Sequence, residues 1–312
     1  FTVITTIIYF GLFYQVIDKP AFLLGVDRFA YNRLNPLSNF WEKLDHIAWM
    51  LVIFPITLIV HKKYILGFIS ICLYILYYLW NGNKFGPFFN IIVVFCLVFA
   101  SAYMLKDIKK LRKMLMNLFI LSVCIVFFTF GIVDSSGVDL ENYIWERTSQ
   151  QGQLWWKTYE ITDGVVHADE FDKEIKVMFD KPIIGEGMLG ADTGIYKIMY
   201  LCAPKSIIDA KLETGSRYTE AGMAAAYYYF GMYGVLIFAI LMGIMFSITV
   251  NAIIRSIYVG NIIVAFLLLR LMNIELTSIS MFTFVDLFKP KSLLSYFYIL
   301  YMWNKVPYIS LK

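Results

Sequence analysis

Two blocks of apolar runs, separated by one polar stretch, constrain this chain more than any other feature. Residues 1–17, 47–60, 64–80, 88–105 and 114–133 form the first block, and residues 232–254, 261–282 and 293–303 the second. A helix of about 20 apolar residues crosses a bilayer, and somewhat shorter runs cross when extended by flanking aromatics. The runs therefore predict about eight membrane helices, and the fold class is all-α, a polytopic transmembrane bundle. Charge agrees. Only 16% of the 312 residues are charged and 60% are hydrophobic, against roughly 25% charged in an ordinary soluble domain. Composition of this kind excludes a soluble enzyme, a disordered chain and a nucleic-acid-binding domain. The chain starts at Phe1 within an apolar run, so the expectation is a truncated start and a span count that is a lower bound.

Basic residues set the expected orientation. Lys106, Lys109, Lys110, Arg112 and Lys113 crowd one short loop, which the positive-inside tendency places in the cytoplasm. His61, Lys62, Lys63 and Arg255 then fall on the same side. Three loops are left outside, at 18–46, 81–87 and 134–217. The last holds 15 acidic and 9 basic residues, a net of −6, while the rest of the chain carries +10. Residues 1–312 are expected to form one integral membrane domain, with 134–217 a large extracytoplasmic loop that contains helices. Its Trp145, Trp155, Trp156 and the glycines near 183–196 favour an ordered loop. No internal repeat is visible, which weakens a transporter reading. Cys72, Cys96, Cys124 and Cys202 show no CxxC spacing and suggest neither a disulfide framework nor a zinc site.

Within the large loop, 139–161 reads as an amphipathic helix. Tyr143, Arg147, Gln150, Gln151, Leu154 and Trp155 recur at helical spacing. A cation, amides and an indole on one face suit a phosphorylated sugar. The same face also suits an interfacial helix, with Trp155 and Trp156 among lipid headgroups and Arg147 paired to phosphate or Glu146. Further on, Ser216 is an expected N-cap for a helix over 221–230, with Arg217 in its first turn. A helix start supplies free N–H groups and a positive dipole end, and arginine a planar fork. The alternative there is an Arg217–Glu220 pair at i, i+3.

Outer-face basic residues are the less expected ones in a membrane protein. Arg28 and Arg33 occupy one such loop, Lys84 a glycine-flanked turn, and Arg147 and Arg217 the large loop. Their convergence on one anionic ligand is an expectation. Acid/base candidates are Glu146, His167, Asp169, Glu186 and Glu220, although Asp169 to Glu174 is a charge run of the kind that usually forms a solvated face. Arg270 falls nine residues into its run, near mid-depth at about 1.5 Å per residue, with Asn273 and Thr277 on its face. It should face the bundle interior, and pairing with the nearby Glu275 is the plainest expectation. No HExxH, DxD or nucleotide-binding glycine loop is present.

Three passages carry a family resemblance. Asn81-Gly82-Asn83-Lys84-Phe85-Gly86 looks like an outer-face glycine–basic turn. Glu146-Arg147-Thr148-Ser149-Gln150-Gln151-Gly152-Gln153-Leu154-Trp155-Trp156 looks like a large-loop arginine/glutamine helix. Lys181-Pro182-Ile183-Ile184-Gly185-Glu186-Gly187, followed by Ser216-Arg217 and Phe230-Gly231-Met232-Tyr233-Gly234, resembles a "KP-hydrophobic-G-x-G" and "FG-x-x-G" pair before a membrane span. In this order and topology the chain resembles the Wzy-type polysaccharide repeat-unit polymerases, which group with the O-antigen ligases. It departs from them at Lys84, where arginine is common, and in showing fewer spans.

The resemblance implies a metal-independent glycosyltransferase without a cofactor, in the bacterial cytoplasmic (inner) membrane. It would join polyprenyl-pyrophosphate-linked oligosaccharide repeats into O-antigen, capsule or exopolysaccharide. Implied roles are Arg147 and Arg217 on the leaving pyrophosphate and Glu220 or Glu146 as base. Lys84, Arg28, Arg33, Gln151 and Trp155 would bind substrate. Implied partners are the lipid-linked oligosaccharide, membrane lipids, a chain-length regulator and a flippase, and no nucleic acid. The alternatives are an O-antigen ligase, for which His167 is the one histidine in the large loop, and a flippase-like polysaccharide transporter.

Overall fold

A computed structural model describes residues 1–103 apart from 19, 22, 25–27, 62, 84 and 85, single positions at 116, 120 and 123, and residues 140–303 apart from 180–193, 215, 216 and 220. Every regular element among the described residues is a helix. In chain order these are α1 (Thr2–Tyr14), α2 (Arg28–Leu34), α3 (Asn39–Leu51), α4 (Ile53–Val60), α5 (Tyr64–Trp80), α6 (Gly86–Tyr103), α7 (Leu140–Thr162), α8 (Phe171–Phe179), α9 (Gly194–Cys202), α10 (Lys205–Thr214), α11 (Ala221–Tyr258), α12 (Ile262–Met281) and α13 (Pro290–Trp303). Short 3-10 turns lie at Ala168–Glu170 and Phe284–Phe288.

Among the described residues, three helices are long and apolar enough to cross a membrane: Asn39–Val60, which joins α3 and α4, then α11 and α12. Thr2–Tyr14, Tyr64–Trp80 and Gly86–Ser101 are shorter apolar helices. Two of the eight expected spans stand apart from these six. The run at 114–133 lies almost wholly outside the described residues, and that at 293–303 falls within the 14 residues of α13.

The chain packs as two compact units. The first comprises Phe1–Ile132, Asn251–Leu269 and Pro307–Lys312; the second comprises Val133–Val250 and Arg270–Val306. In the first unit α1 lies along α5, where Thr6 and Ser70 bridge their hydroxyls. The Tyr9 hydroxyl donates to the Ala48 carbonyl at 2.9 Å, tying α1 to α3. Small side chains set these close approaches: a Cβ on Gly11 would enter the Trp41 ring.

The second unit is built around the N-terminal part of α11. Ala221, Ala224, Ala225 and Ala226 are all buried there, so neighbouring helices approach closely. Leu154 of α7, Ile195, Ile198 and Met199 of α9, and Ile208 and Leu212 of α10 complete this core. The amphipathic helix expected at 139–161 is α7, shifted by one residue at each end. The helix expected at 221–230 and the span expected at 232–254 are two helical segments of α11 that meet at a non-helical kink at Gly231. That residue adopts φ 66°, ψ −160°, a backbone region essentially reserved for glycine.

Candidate functional site

The kink positions a polar cluster in the second unit. Turning the backbone at Gly231 interrupts the helical ladder, and the Tyr228 carbonyl accepts from the His167 N–H at 3.1 Å. This contact anchors the turn that follows α7 beside α11. The His167 ring then stacks on Tyr228, with centroids 4.5 Å apart and planes 12° from parallel. The Tyr228 hydroxyl donates to Glu170 at 2.9 Å. His167 Nε2 is buried and has no hydrogen-bond partner. One ring nitrogen is thus held, dry and unpaired, next to a phenol and a carboxylate.

One turn of α8 further on, Glu174 is fully buried. It accepts a short hydrogen bond from Tyr229 of α11 and forms an ion pair with Arg217 at 2.5 Å. Arg217 is itself only 3% exposed. Its guanidinium lies over the Tyr196 ring, 5.1 Å from the centroid, a distance at which the ring's quadrupole attracts a cation. Burial lowers the affinity of this guanidinium for its proton, but Glu174 and Tyr196 outweigh that, and the net shift is upward. Burial likewise raises Tyr196, partly opposed by Arg217. Arg217 Nη1 has no hydrogen-bond partner, so one donor of the fork is left for an acceptor.

Gly194 explains how α9 reaches this cluster. Its φ is +29°, and a Cβ there would collide with the Tyr229 hydroxyl and approach Glu174 Oε2 to 2.9 Å. Only a residue without a side chain lets α9 start at this point. Helices α8, α9 and α11, the 3-10 turn at Ala168–Glu170 and the two connecting segments that carry His167 and Arg217 therefore bring together an arginine, two carboxylates, three tyrosines and a histidine.

Arg217 does not occupy the first turn of the helix it precedes. α11 starts at Ala221, and Arg217 lies outside any helix, before it. The reason is energetic: Glu174 offers a buried counter-charge, whereas a helix N-terminus offers only about half a charge in partial form. Glu220 and Ser216, on which the other local readings rested, lie outside the described residues, as do Lys84 and Glu186.

The remaining expected site residues divide between the units. Arg28 starts α2 and Arg33 is exposed near its end; both belong to the first unit, and the Arg28 side chain is outside the described set. Glu146, Arg147 and Gln151 lie on the α7 backbone in the second unit, with side chains outside the described set. Trp155 is half-buried against the core and lies 5.3 Å from Tyr227 between ring centroids. Tyr159 extends the cluster at 6.2 Å from Tyr227, and Trp156 adds a further exposed ring at 6.4 Å from Tyr159. Such a strip offers flat apolar faces to a sugar ring or a headgroup layer.

Arg270 differs from expectation. It is exposed on α12 rather than paired with Glu275. Glu275 instead accepts from two hydroxyls, Thr249 and Tyr296, each at 2.7 Å. Five residues along a helix turn through about 140° at 3.6 residues per turn, so the two side chains leave different faces. Sequence reasoning named Glu275 only as a partner for Arg270 and missed Glu174, which it had read as part of a solvated charge run at 169–174. Spacing held a signal: Glu170 and Glu174 fall at i, i+4 on one face of an element with apolar neighbours. Among the described residues no group of three or more His, Cys, Asp or Glu is placed to hold a metal ion. Among the described residues, Cys72, Cys96 and Cys202 are in no disulfide.

A family model described as a family of unknown function (DUF6418) matches residues 189–298. That stretch takes in Gly194, Tyr196, Arg217, α11 with its kink, and Glu275. No curated protein and no solved structure matches the chain.

Proposed function

We propose that the chain is a glycosyltransferase of the bacterial cytoplasmic membrane that polymerises polyprenyl-pyrophosphate-linked oligosaccharide repeats, and that it crosses the membrane about eight times with residues 134–217 on the outer face. The observation that carries this reading is the buried Arg217. Glu174 and Tyr196 fix its fork, Nη1 has no partner, and an aromatic strip including Trp155 and Trp156 belongs to the same unit. A fixed guanidinium stabilises charge that develops on a leaving pyrophosphate without reorganising at the moment of reaction. Because Glu174 already neutralises much of Arg217, Arg147 supplies the uncompensated charge in this scheme. Lys84, Arg28 and Arg33 act as further phosphate or glycan contacts. Glu146 or Glu220 serves as base, and a flippase and a chain-length regulator as partners.

One observation favours a second reading. His167 presents a buried, unpartnered Nε2 beside Tyr228 and Glu170, a geometry suited to taking a proton from an acceptor hydroxyl. On the resemblance stated above, a critical histidine in this loop favours an O-antigen ligase.

A surface-glycan ladder decides between them. Cells lacking the protein should show glycan reduced to single repeats, and Arg147→Ala should do the same at unchanged protein level. Polymer that forms but stays on its polyprenyl carrier, with His167→Ala as the most damaging variant, would identify a ligase. Repeats trapped on the inner leaflet would identify a transporter, and an unchanged ladder would refute the glycan reading altogether.

A further inference from the structure

Glu275 presents a problem that neither reading uses. It is fully buried at 0% exposure, within α12, one of the helices long and apolar enough to cross a membrane. Ionisable groups in such segments are costly and are held only with partners or for function. The Thr249 hydroxyl of α11 and the Tyr296 hydroxyl of α13 both converge on Oε1, each at 2.7 Å. Oε2 is buried with no partner. No cation answers the charge: Glu275 forms no ion pair among the described residues. Arg270, on its own helix, is exposed, and Lys289 is paired to Asp286 in the turn before α13, where both side chains reach solvent. From the elements packed against it, the groups that face Glu275 are thus two neutral hydroxyls.

We propose that Glu275 is a proton-binding site: in the resting protein it is a neutral carboxylic acid that ties α11, α12 and α13 together through Thr249 and Tyr296. The alternative ionisation state is the expensive one. A carboxylate would bury a full negative charge with one oxygen solvated by nothing, and two hydroxyl hydrogen bonds do not replace the lost water. With a proton bound, the worst remaining defect is one neutral oxygen lacking one hydrogen bond. The clamp also works in the neutral form, since a carboxylic acid both donates and accepts. Releasing the proton creates charge between three helices, so the site couples proton occupancy to their packing. This inference does not depend on the glycan reading.

Infrared difference spectroscopy on the full chain in lipid vesicles at neutral pH tests it. Subtracting the Glu275→Gln spectrum from that of the unsubstituted protein should reveal loss of one protonated-carboxyl C=O band. Loss of the paired carboxylate bands instead would overturn the proposal. Glutamine matches the neutral acid in shape, and its melting temperature should stay within a few degrees of the parent, whereas Glu275→Ala should lower it clearly. Should Glu275→Gln fail to fold, Tyr296→Phe keeps the carboxyl and removes one hydroxyl partner. With 13C-labelled glutamate, it should shift the same band, and a spectrum with no such band to shift would overturn the proposal. Replacement of that band by carboxylate bands on adding sodium would assign the site to a metal cation and equally refute a proton.

Discussion

Removing the Arg217 side chain should unfold the second unit before it reveals anything about chemistry. Arg217→Ala leaves Glu174 fully buried, with Tyr229 as its remaining donor. Taking the two charge centres as roughly 4 Å apart at an effective dielectric of about 20, the lost attraction is about 4 kcal/mol. Measured losses on breaking a buried pair from one side are similar, about 3–5 kcal/mol. For a chain of 312 residues, at about 2.1 cal/mol/K of unfolding entropy per residue, that is a fall of roughly 5–8 °C in melting temperature. Glu174→Gln should be milder: the amide oxygen still accepts from Tyr229, and the Tyr196 ring still faces the guanidinium. Arg217→Met with Glu174→Gln removes both charges while keeping volume, and should recover most of the loss, to within about 1–2 kcal/mol of the parent. Thermal melts of the parent, Arg217→Met, Glu174→Gln and the double variant in one detergent form a double-mutant cycle whose coupling should be about 2–3 kcal/mol. Additive losses, or an Arg217→Ala protein that melts with its parent, would mean that the pair does not hold the unit together. The charge-free double variant then becomes the proper enzyme test. If it folds and makes no polymer, the Arg217 charge itself is needed. If it folds and makes normal polymer, Arg217 is structural and the anion site lies elsewhere.

Other expected outcomes follow from the glycines and rings. Gly231→Ala forces a Cβ onto φ 66°, ψ −160° and toward Val166 Cγ1 at 3.3 Å; it should cost about 1–3 kcal/mol, read as a lowered melting temperature. Gly194→Ala should displace Tyr229 from Glu174, and a rise in amide exchange across α8 and α9 would show it; unchanged exchange would refute the packing argument. Leu154→Ala, at a fully packed position, should cost about 2–5 kcal/mol. Trp156→Ala, at an exposed one, should leave stability within about 0.5 kcal/mol yet reduce association with lipid-linked glycan in vesicles. An equal effect of the two on stability would contradict their burial.

Local regularities were the legible part of this fold. The period of Tyr143, Arg147, Gln151 and Trp155 located α7 to within a residue at each end, because a helix repeats every 3.6 residues whatever surrounds it. The alanine run after Arg217 and the apolar run after Gly231 were both visible. The kink between them follows from the same reading, because Gly231 separates the two helical segments. His167 takes the carbonyl that the kink exposes. Span boundaries were less legible, because apolar composition alone does not say where a helix stops. Residues 47–60 are the apolar end of a 22-residue helix that starts at Asn39, inside what read as a polar loop.

The site was half legible, for a reason rooted in where its partners lie. Arg217 stood out through its own neighbourhood, and every partner considered for it was local: the N-terminus of the next helix, or Glu220 one turn away. Its actual partners are Glu174, from a segment read as solvent-facing, and Tyr196. Tyr229, which completes the site, is separated from Glu174 by 55 residues. Nothing in a charge run such as Asp169-Glu170-Phe171-Asp172-Lys173-Glu174 marks which carboxylate is buried until a second element covers it. The covering here depends on Gly194, whose missing side chain admits the Tyr229 hydroxyl. A single methyl group at that position therefore stands between a solvated glutamate and a buried ion pair. Arg270 follows the same pattern: it is near Glu275 in sequence, but hydroxyls from two other helices occupy the carboxyl instead. Where opposite charges lie within a turn of each other, the buried one is claimed by whichever element packs against its face, and that choice is tertiary.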